Sequence, residues 1–322
     1  MSVPAATWQP PAINIAADSE GAIIARSPTA LFWRRLRQDK IAVASLVVVV
    51  LLIVVAIAAP LVVKLFGLPG PYTQNTNLLN AFGEASGPTA RNPLGVDGLG
   101  RDVAARVIYG SRVSLEVGMV GTGLATLIGV VVGLLAGYYR GWVDTILSRL
   151  TDLVLCFPTL LFGIGLASAC ALNGCLGGTI KPGVPVILAV VVIFGWTYIA
   201  RIVRGLVLSL REKEFVEAAR ALGASNRRIM FREILPNLAA PVIVYASLLI
   251  PVNILFESAL SYLGVGVQDP TASWGQMIAA ATPIFNTAWW YMVFPGAALL
   301  VTVLAFNLLG DGLQDALNPK GN

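Results

Sequence analysis

The sequence contains no histidine, and this absence excludes several kinds of site at once. A catalytic Ser/His/Asp or Cys/His set cannot form without an imidazole, and a metal site loses its commonest nitrogen ligand. A phosphate-binding loop of the form G-x-x-x-x-G-K-[ST] is also missing, so the chain is not expected to hydrolyse a nucleotide by itself. We therefore predict no catalytic residue, no metal site and no cofactor bound by this chain.

Cysteine is scarce, and the three cysteines do not have the spacing of metal ligands. Cys156 falls in an apolar stretch and is interpreted as a small packed residue. Cys170 and Cys175 flank a short segment, ALNG, between two apolar stretches. They form a disulfide if this segment faces an oxidising compartment, or they remain two buried thiols, and the spacing leaves both alternatives open.

Charged residues are also scarce, since only 12% of the residues are charged whereas 57% are hydrophobic. A soluble domain of this length needs more polar surface than that. Apolar stretches of roughly 20 residues match the thickness of a bilayer core. Six such stretches occur, at residues 41–63, 113–137, 151–171, 185–204, 238–262 and 289–313. The sequence therefore predicts an all-α polytopic membrane protein with six transmembrane helices, and Pro158 predicts a kink in the third.

The few basic residues predict how the chain crosses the membrane, since short loops rich in Lys and Arg stay cytoplasmic. Segments 1–40, 138–150, 201–237 and 314–322 hold 16 of the 22 Lys and Arg residues. Both termini are therefore predicted to be cytoplasmic. A nucleic-acid partner is the weaker interpretation of the positive charge. The first apolar stretch is too long for a cleaved signal, so we interpret it as an uncleaved anchor.

The chain divides into five parts by composition. The large outer segment ends in a short amphipathic helix, and residues 28–40 predict a helix along the inner membrane surface or a simple basic flank with an aromatic anchor. The predicted parts are a disordered cytoplasmic tail (1–27), the interfacial helix and first transmembrane helix (28–63), an extracytoplasmic loop (64–112), a helical core with a cytoplasmic loop at 205–237 (113–317), and a C-terminal tail (318–322).

Glu257 is an acidic residue deep in a predicted span. A charged side chain at that depth costs about 3 kcal/mol on insertion scales, so it must face protein or water. One interpretation is a pathway-lining or proton-linked group. The other is a structural group that bonds to Ser258, Ser261 or a neighbouring subunit. The sequence leaves both open.

The 205–237 loop carries far more charge than the spans on either side of it. A first helix is predicted by an apolar stripe at helical spacing, formed by Phe215, Ala218, Ala219 and Leu222. Gly223 is placed to end that helix in the left-handed conformation, and Ser225 can cap a second helix over 226–235. Pro236 either closes this second helix or leads it into the fifth span.

Two short helices joined at Gly223 predict a projection that fits a cleft on a soluble partner. A DNA-binding helix–turn–helix is the competing interpretation, but both flanks enter the membrane within a few residues and would press the recognition helix against headgroups. The third alternative is a connecting loop without a partner.

Within this loop, Glu217-Ala218-Ala219, Gly223 and Leu235-Pro236 resemble the EAA loop of ABC importer permeases. Glu233 departs from the pattern, which has an apolar residue there. The resemblance implies that the loop docks on an ATPase subunit and transmits its closure. The residues to which it gives this coupling role are Glu217, Ala218, Ala219, Gly223, Ser225, Arg227, Arg228, Leu235 and Pro236.

Two further stretches resemble the second permease subunit of dipeptide and oligopeptide importers, a branch that includes nickel and glutathione importers. The first, NPLGVDGLGRDVAARVIYGSRVSL, is similar to the pattern HPLGTDxxGRD, with Asn92 and Val96 in place of His and Thr. The second is SALSYLGVGVQDPTASWGQMI at 258–278. The matching residues of the outer loop are Gly95, Asp97, Gly100, Arg101 and Asp102.

The resemblance, over roughly residues 30–318, implies a type I ABC importer fold in a bacterial cytoplasmic membrane. The implied partners are a homologous second permease, two cytoplasmic ATPase subunits that bind ATP and Mg, an extracytoplasmic binding protein and the lipid bilayer, with no nucleic acid. An ion-coupled secondary transporter that uses Glu257 is the alternative. It would predict inverted repeats, which the sequence does not show.

Overall fold

The computed structural model describes residues 28–171, 174–175 and 177–317. The predicted tails at 1–27 and 318–322 lie outside these residues. Apart from three isolated β-bridges, the regular structure of the described residues is helical, which confirms the all-α prediction. The helices are α1 (Pro28–Gln38), α2 (Lys40–Ile57), α3 (Ala59–Leu65), α4 (Val103–Glu116), α5 (Thr122–Tyr139), α6 (Gly141–Leu155), α7 (Thr159–Ala169), α8 (Val184–Leu210), α9 (Glu214–Ala221), α10 (Asn226–Arg228), α11 (Leu235–Tyr262), α12 (Trp274–Ala281) and α13 (Trp290–Leu317).

Two π-helical turns join neighbouring helices into longer ones. Val117–Gly121 connects α4 to α5, and Ile229–Ile234 connects α10 to α11. The resulting helices, Val103–Tyr139 and Asn226–Tyr262, have 37 residues each. Together with α2, α8 and α13 they give, among the described residues, five helices long and apolar enough to cross a membrane, or six if the bent pair α6–α7 counts as one span. The amphipathic helix predicted before the second span is therefore continuous with it.

The third predicted span is not one continuous helix. α6 and α7 meet at 75°, with the break at residues 156–158. Pro158 lacks an N–H and disfavours helical backbone at the residue before it, which explains why the helix ends there. Cys156 lies at this break and is exposed in the chain, so its predicted packing is wrong. Proline here turns the chain rather than kinking a helix.

The disulfide alternative holds for the other two cysteines. Cys170 and Cys175 are bonded to each other, and the bond closes the connection between α7 and α8. Cys170 is buried against Ala167 and Val186.

Glycines on α5 allow close packing against α8. A Cβ on Gly129 would lie 2.7 Å from the carbonyl oxygen of Trp196, and one on Gly133 would lie 2.6 Å from that of Ala200. Both distances are shorter than real Cβ contacts, so only glycine fits. Close backbone approach between small residues is the main source of helix association in lipid. Of these two helices, α8 continues into the 205–237 loop.

α1 packs beside the start of α2 and the end of α13. Leu36 is buried with Ala42 and Ala316, while Trp33 is 51% exposed. Asp39 ends this element and caps α2, because its carboxylate accepts hydrogen bonds from the amides of Ile41 and Ala42 at 2.9 and 3.1 Å.

Candidate functional site

The first helix of the 205–237 loop docks through one side chain. Val216 is completely buried against Val207 and Ile229, and it is the only buried residue of α9. The predicted stripe is largely exposed instead: Phe215 is 40% exposed and Leu222 is 89% exposed. Sequence reasoning missed Val216, although its spacing of three from the half-buried Ala219 was a usable signal.

The turn after α9 has the predicted shape. Gly223 has φ of +78°, a left-handed conformation that favours glycine. Its amide donates to the carbonyl of Arg220, and the amide of Ala224 donates to that of Ala219, both at 3.0 Å. Ser225 caps α10 by accepting a hydrogen bond from the amide of Arg228.

The second helix leads into the fifth span rather than closing at Pro236. Leu235 and Pro236 are the first two residues of α11 and follow the π turn without a break. The π turn before them carries Arg232 and Glu233 within one continuous helix. Of the two alternatives for Pro236, the second helix therefore continues into the fifth predicted span and does not end at this residue.

The exposed side of α9 and α10 is the loop face, defined here by Glu217, Ala218, Leu222, Arg227 and Arg228. All five side chains are exposed. The exposed apolar side chain of Leu222 thus lies among acidic and basic side chains. The nine residues predicted for coupling all belong to this one loop, and Ser225 and Gly223 set its shape rather than its surface chemistry.

Polar contacts fix the base of the loop to the neighbouring helices. Tyr138, at the end of α5, donates its hydroxyl to Asn226 Oδ1 at 2.9 Å. Arg140, between α5 and α6, forms an ion pair of 2.7 Å with Glu212 just before α9. These contacts connect the base of the loop to the α5–α6 junction.

Two ion pairs connect α8 to the broken span. Arg204 donates two hydrogen bonds to the carboxylate of Asp144 on α6, at 2.5 and 2.7 Å. Arg201 forms a second pair with Asp152 at 2.8 Å. A bidentate Arg–carboxylate pair is directional as well as attractive. α6 is thus held to the helix that leads into the loop.

The surroundings of Glu257 fit the second interpretation, that of a structural group bonded to serine side chains. Its side chain is 0% exposed and accepts hydrogen bonds from the hydroxyls of Ser114 at 2.9 Å and Ser261 at 2.8 Å. Ser258 provides a longer contact of 3.4 Å. The carboxylate joins α4 to α11 inside the protein, and the structure places it away from any surface of the chain.

The predicted residues of the outer segment form a tight turn. Gly95 and Gly100 have φ of +76° and +71°, and a Cβ on Gly100 would overlap the backbone of Asn75. Asp97 lies between them and accepts hydrogen bonds from the amides of Leu99 and Arg101, each at 2.9 Å. Both glycines are therefore required by the backbone.

Asp102 begins α4. One carboxylate oxygen accepts from the amide of Ala105 at 2.7 Å, and the other accepts from the side-chain amide of Asn92 at 2.7 Å. Asn92 replaces the His of the pattern, and it fills that position by holding the capping carboxylate.

The two stretches that resemble the second permease subunit, at residues 92–115 and 258–278, contact each other. Arg101 contacts Asp97 at 2.6 Å and Asp269 at 3.1 Å, and Arg106 contacts Asp269 at 3.2 Å. Burial opposes the charge of Arg101, but the carboxylates of Asp97 and Asp269 outweigh it and raise the pKa of its guanidinium. Arg106 and Asp269 were missed by sequence reasoning. Arg106 is completely buried.

The described residues contain no group of three or more His, Cys, Asp or Glu side chains placed to hold a metal ion.

Comparison with known proteins identifies the architecture built around these sites. The model of the binding-protein-dependent transport system inner membrane component matches residues 129–321, and that of the N-terminal transmembrane domain of oligopeptide transport permease C matches 27–85. The chain belongs to the family of binding-protein-dependent inner membrane transport components. It is therefore a multi-pass permease subunit of an ABC importer and not a catalyst by itself. Permeases of this family act with a partner permease, ATPases and a binding protein.

Relatives of this permease span nearly the whole chain. It is 39% identical to the dipeptide transport system permease protein of Alkalihalophilus pseudofirmus over 91% of this chain and 90% of that one. It is 38% identical to the glutathione transport system permease protein of Pectobacterium atrosepticum over 92% of both chains. Because the chain belongs to this family, the alternative of an ion-coupled secondary transporter is wrong.

A solved structure confirms the fold of the permease. A chain of the MetNI methionine ABC transporter, in an inward-facing conformation, superposes with a TM-score of 0.54 at 19% identity. The likeness covers 66% of this chain and 96% of the other. The type I importer fold predicted from the sequence is thus confirmed.

Proposed function

We propose that this permease imports small peptides and forms half of the translocation pathway, with a homologous permease as the other half. The relatives that support the proposal transport a dipeptide and glutathione, itself a short peptide. The outer-segment motif and the stretch at 258–278 favour the same branch. Peptides are therefore preferred to nickel as the cargo.

The 205–237 loop is the proposed coupling element. Its loop face presents Leu222, which is 89% exposed, among charged side chains, and this exposure is the observation that carries the proposal. An apolar side chain inserted in a cleft supplies affinity, and surrounding charges fix its register. The proposed socket lies on one of two cytoplasmic ATPase subunits, which bind ATP and Mg. The nine predicted coupling residues keep this role as a proposal.

In the proposed cycle, ATP binding closes the ATPases and moves α9. Val216 and Arg140 transmit this motion to α5 and α8, and the Arg204–Asp144 pair passes it to the broken span α6–α7. The two permeases then open outward, accept a peptide from an extracytoplasmic binding protein, and return on hydrolysis. Both termini are cytoplasmic in this arrangement, and the membrane is the bacterial cytoplasmic membrane.

The test is uptake of labelled di- and tripeptides by the reconstituted importer, with Leu222→Glu and the apolar control Leu222→Met. We expect Leu222→Glu to lower uptake about tenfold or more and to weaken retention of the ATPases, since a charge in a buried socket is costly. Leu222→Met should retain both. Equal uptake and equal ATPase retention in the two variants would refute the coupling assignment, whereas normal coupling with another cargo would refute only the peptide assignment.

A further inference from the structure

A groove between α2 and α4 has the chemistry of a lipid site. It encloses about 370 Å³ and lies at the end of α2 that is opposite to Lys40. Its walls are mainly apolar and are formed by Ile53, Ile57, Leu115, Met119 and Val120. Ile57 is 73% exposed and Val120 is 47% exposed, so the groove is open at the surface of the chain.

Two charged residues stand on the wall of this groove. Arg112 and Glu116 both line it, both are exposed, and they lie one turn apart on α4. Four residues along a helix correspond to a rise of about 6 Å. Among the ion pairs of the described residues, neither side chain has a partner, and they do not pair with each other. The Arg112 guanidinium carbon lies 5.9 Å from the centroid of the Tyr109 ring.

The depth of this pair fits a headgroup. α4 and α5 form one helix of 37 residues, which is longer than the roughly 20 residues that cross a bilayer core. Glu116 lies more than 20 residues before Tyr139, the last residue of that helix. Arg112 and Glu116 therefore reach the interface at this end of the helix, while Met119 and Val120 remain beside acyl chains.

We propose that this groove binds phosphatidylethanolamine. The lipid carries a phosphate and a primary ammonium on one short headgroup, as Arg112 and Glu116 place a cation and an anion about one helical turn apart. The guanidinium donates to the phosphate oxygens, the carboxylate accepts from the ammonium, and an acyl chain covers Ile57 and Val120. Phosphatidylglycerol lacks a cation for Glu116, and the quaternary ammonium of phosphatidylcholine has no N–H to donate. With the proposed orientation of the chain, the lipid belongs to the outer leaflet.

The proposal does not depend on the cargo. Its test is native mass spectrometry of the full-length permease, alone and in the assembled importer, after exchange into equal mixtures of the three lipids. We expect preferential retention of phosphatidylethanolamine in both forms. Arg112→Gln should lower its apparent affinity about tenfold, and Glu116→Gln should abolish the preference over phosphatidylcholine. Arg91→Gln removes an exposed charge elsewhere and should change nothing.

Three results would overturn the proposal. Equal retention of all three lipids would show that the groove does not read the headgroup. Preference for phosphatidylglycerol that survives Glu116→Gln would show an anionic site without a role for the carboxylate. Loss of the lipid on assembly would show that a partner chain covers the groove. Thermal unfolding of each variant in the absence of added lipid establishes that the substitutions leave the fold intact.

Discussion

Arg106 donates a hydrogen bond of 3.2 Å to the carboxylate of Asp269, a residue 163 positions later in the chain. The same guanidinium donates to the side-chain oxygen of Gln276 at 3.1 Å. Arg106 is completely buried, so these bonds hold a charge that would otherwise be stranded away from water. α4 is thereby fastened to α12 and to the connection between α11 and α12.

Replacing Arg106 should destabilise the fold. Arg106→Ala leaves the buried carboxylate of Asp97 with one fewer cation and removes a large packed side chain. We expect a loss of about 3 kcal/mol, at the lower end of the cost of breaking a buried ion pair, because Asp269 is 45% exposed. Thermal unfolding in detergent measures the change, with the exposed Arg91→Ala as the control. Matching melting temperatures in the two variants would mean that the network carries little energy.

Adding a methyl group at Gly133 should separate α5 from α8. A Cβ there would lie 2.6 Å from the carbonyl oxygen of Ala200, which is backbone and cannot rotate away. We expect Gly133→Ala to cost about 1–3 kcal/mol, typical of overpacking. Gly123→Ala is a matched control on the same helix, because a Cβ there meets nothing within 4 Å. The difference in unfolding temperature between the two variants is the measurement, and equal values would contradict the proposed contact.

The Arg204–Asp144 pair should be required for coupling more than for stability. The two side chains are 36% and 18% exposed, so their interaction is worth on the order of 1 kcal/mol. Arg204→Asp should uncouple ATP hydrolysis from uptake, since α6 would no longer follow α8. The reversed pair, Arg204→Asp with Asp144→Arg, should restore part of the coupling.

A double-mutant cycle on the ratio of uptake to ATP hydrolysis tests this pair. If the two single substitutions and the reversal act additively, the ion pair has no role in transmission.

Hydropathy and charge were sufficient to predict most of this fold, because the bilayer requires long apolar helices. The third predicted span, 151–171, overlaps the end of α6 and all of α7; a kink at Pro158 was predicted, but an angle of 75° was not, since hydropathy does not report direction. The shape of the loop followed from Gly223 and Ser225, which act locally. Val216 was missed although its spacing from Ala219 was available, whereas Arg106 was missed because its burial depends on contacts with Asp269, 163 positions away, which periodicity does not report.

Substitution of Glu257 separates its two interpretations. Gln at this position keeps an acceptor and a shape that the hydroxyls of Ser114 and Ser261 can satisfy, because a serine hydroxyl also accepts. We expect Glu257→Gln to retain ATP-driven peptide uptake, whereas Glu257→Ala leaves buried hydroxyls unpaired and lowers stability by about 1–3 kcal/mol. Uptake and thermal unfolding are measured on the same preparations. If Glu257 is instead a proton-linked group, the Glu257→Gln variant folds normally but loses uptake, since the amide cannot exchange a proton at that site.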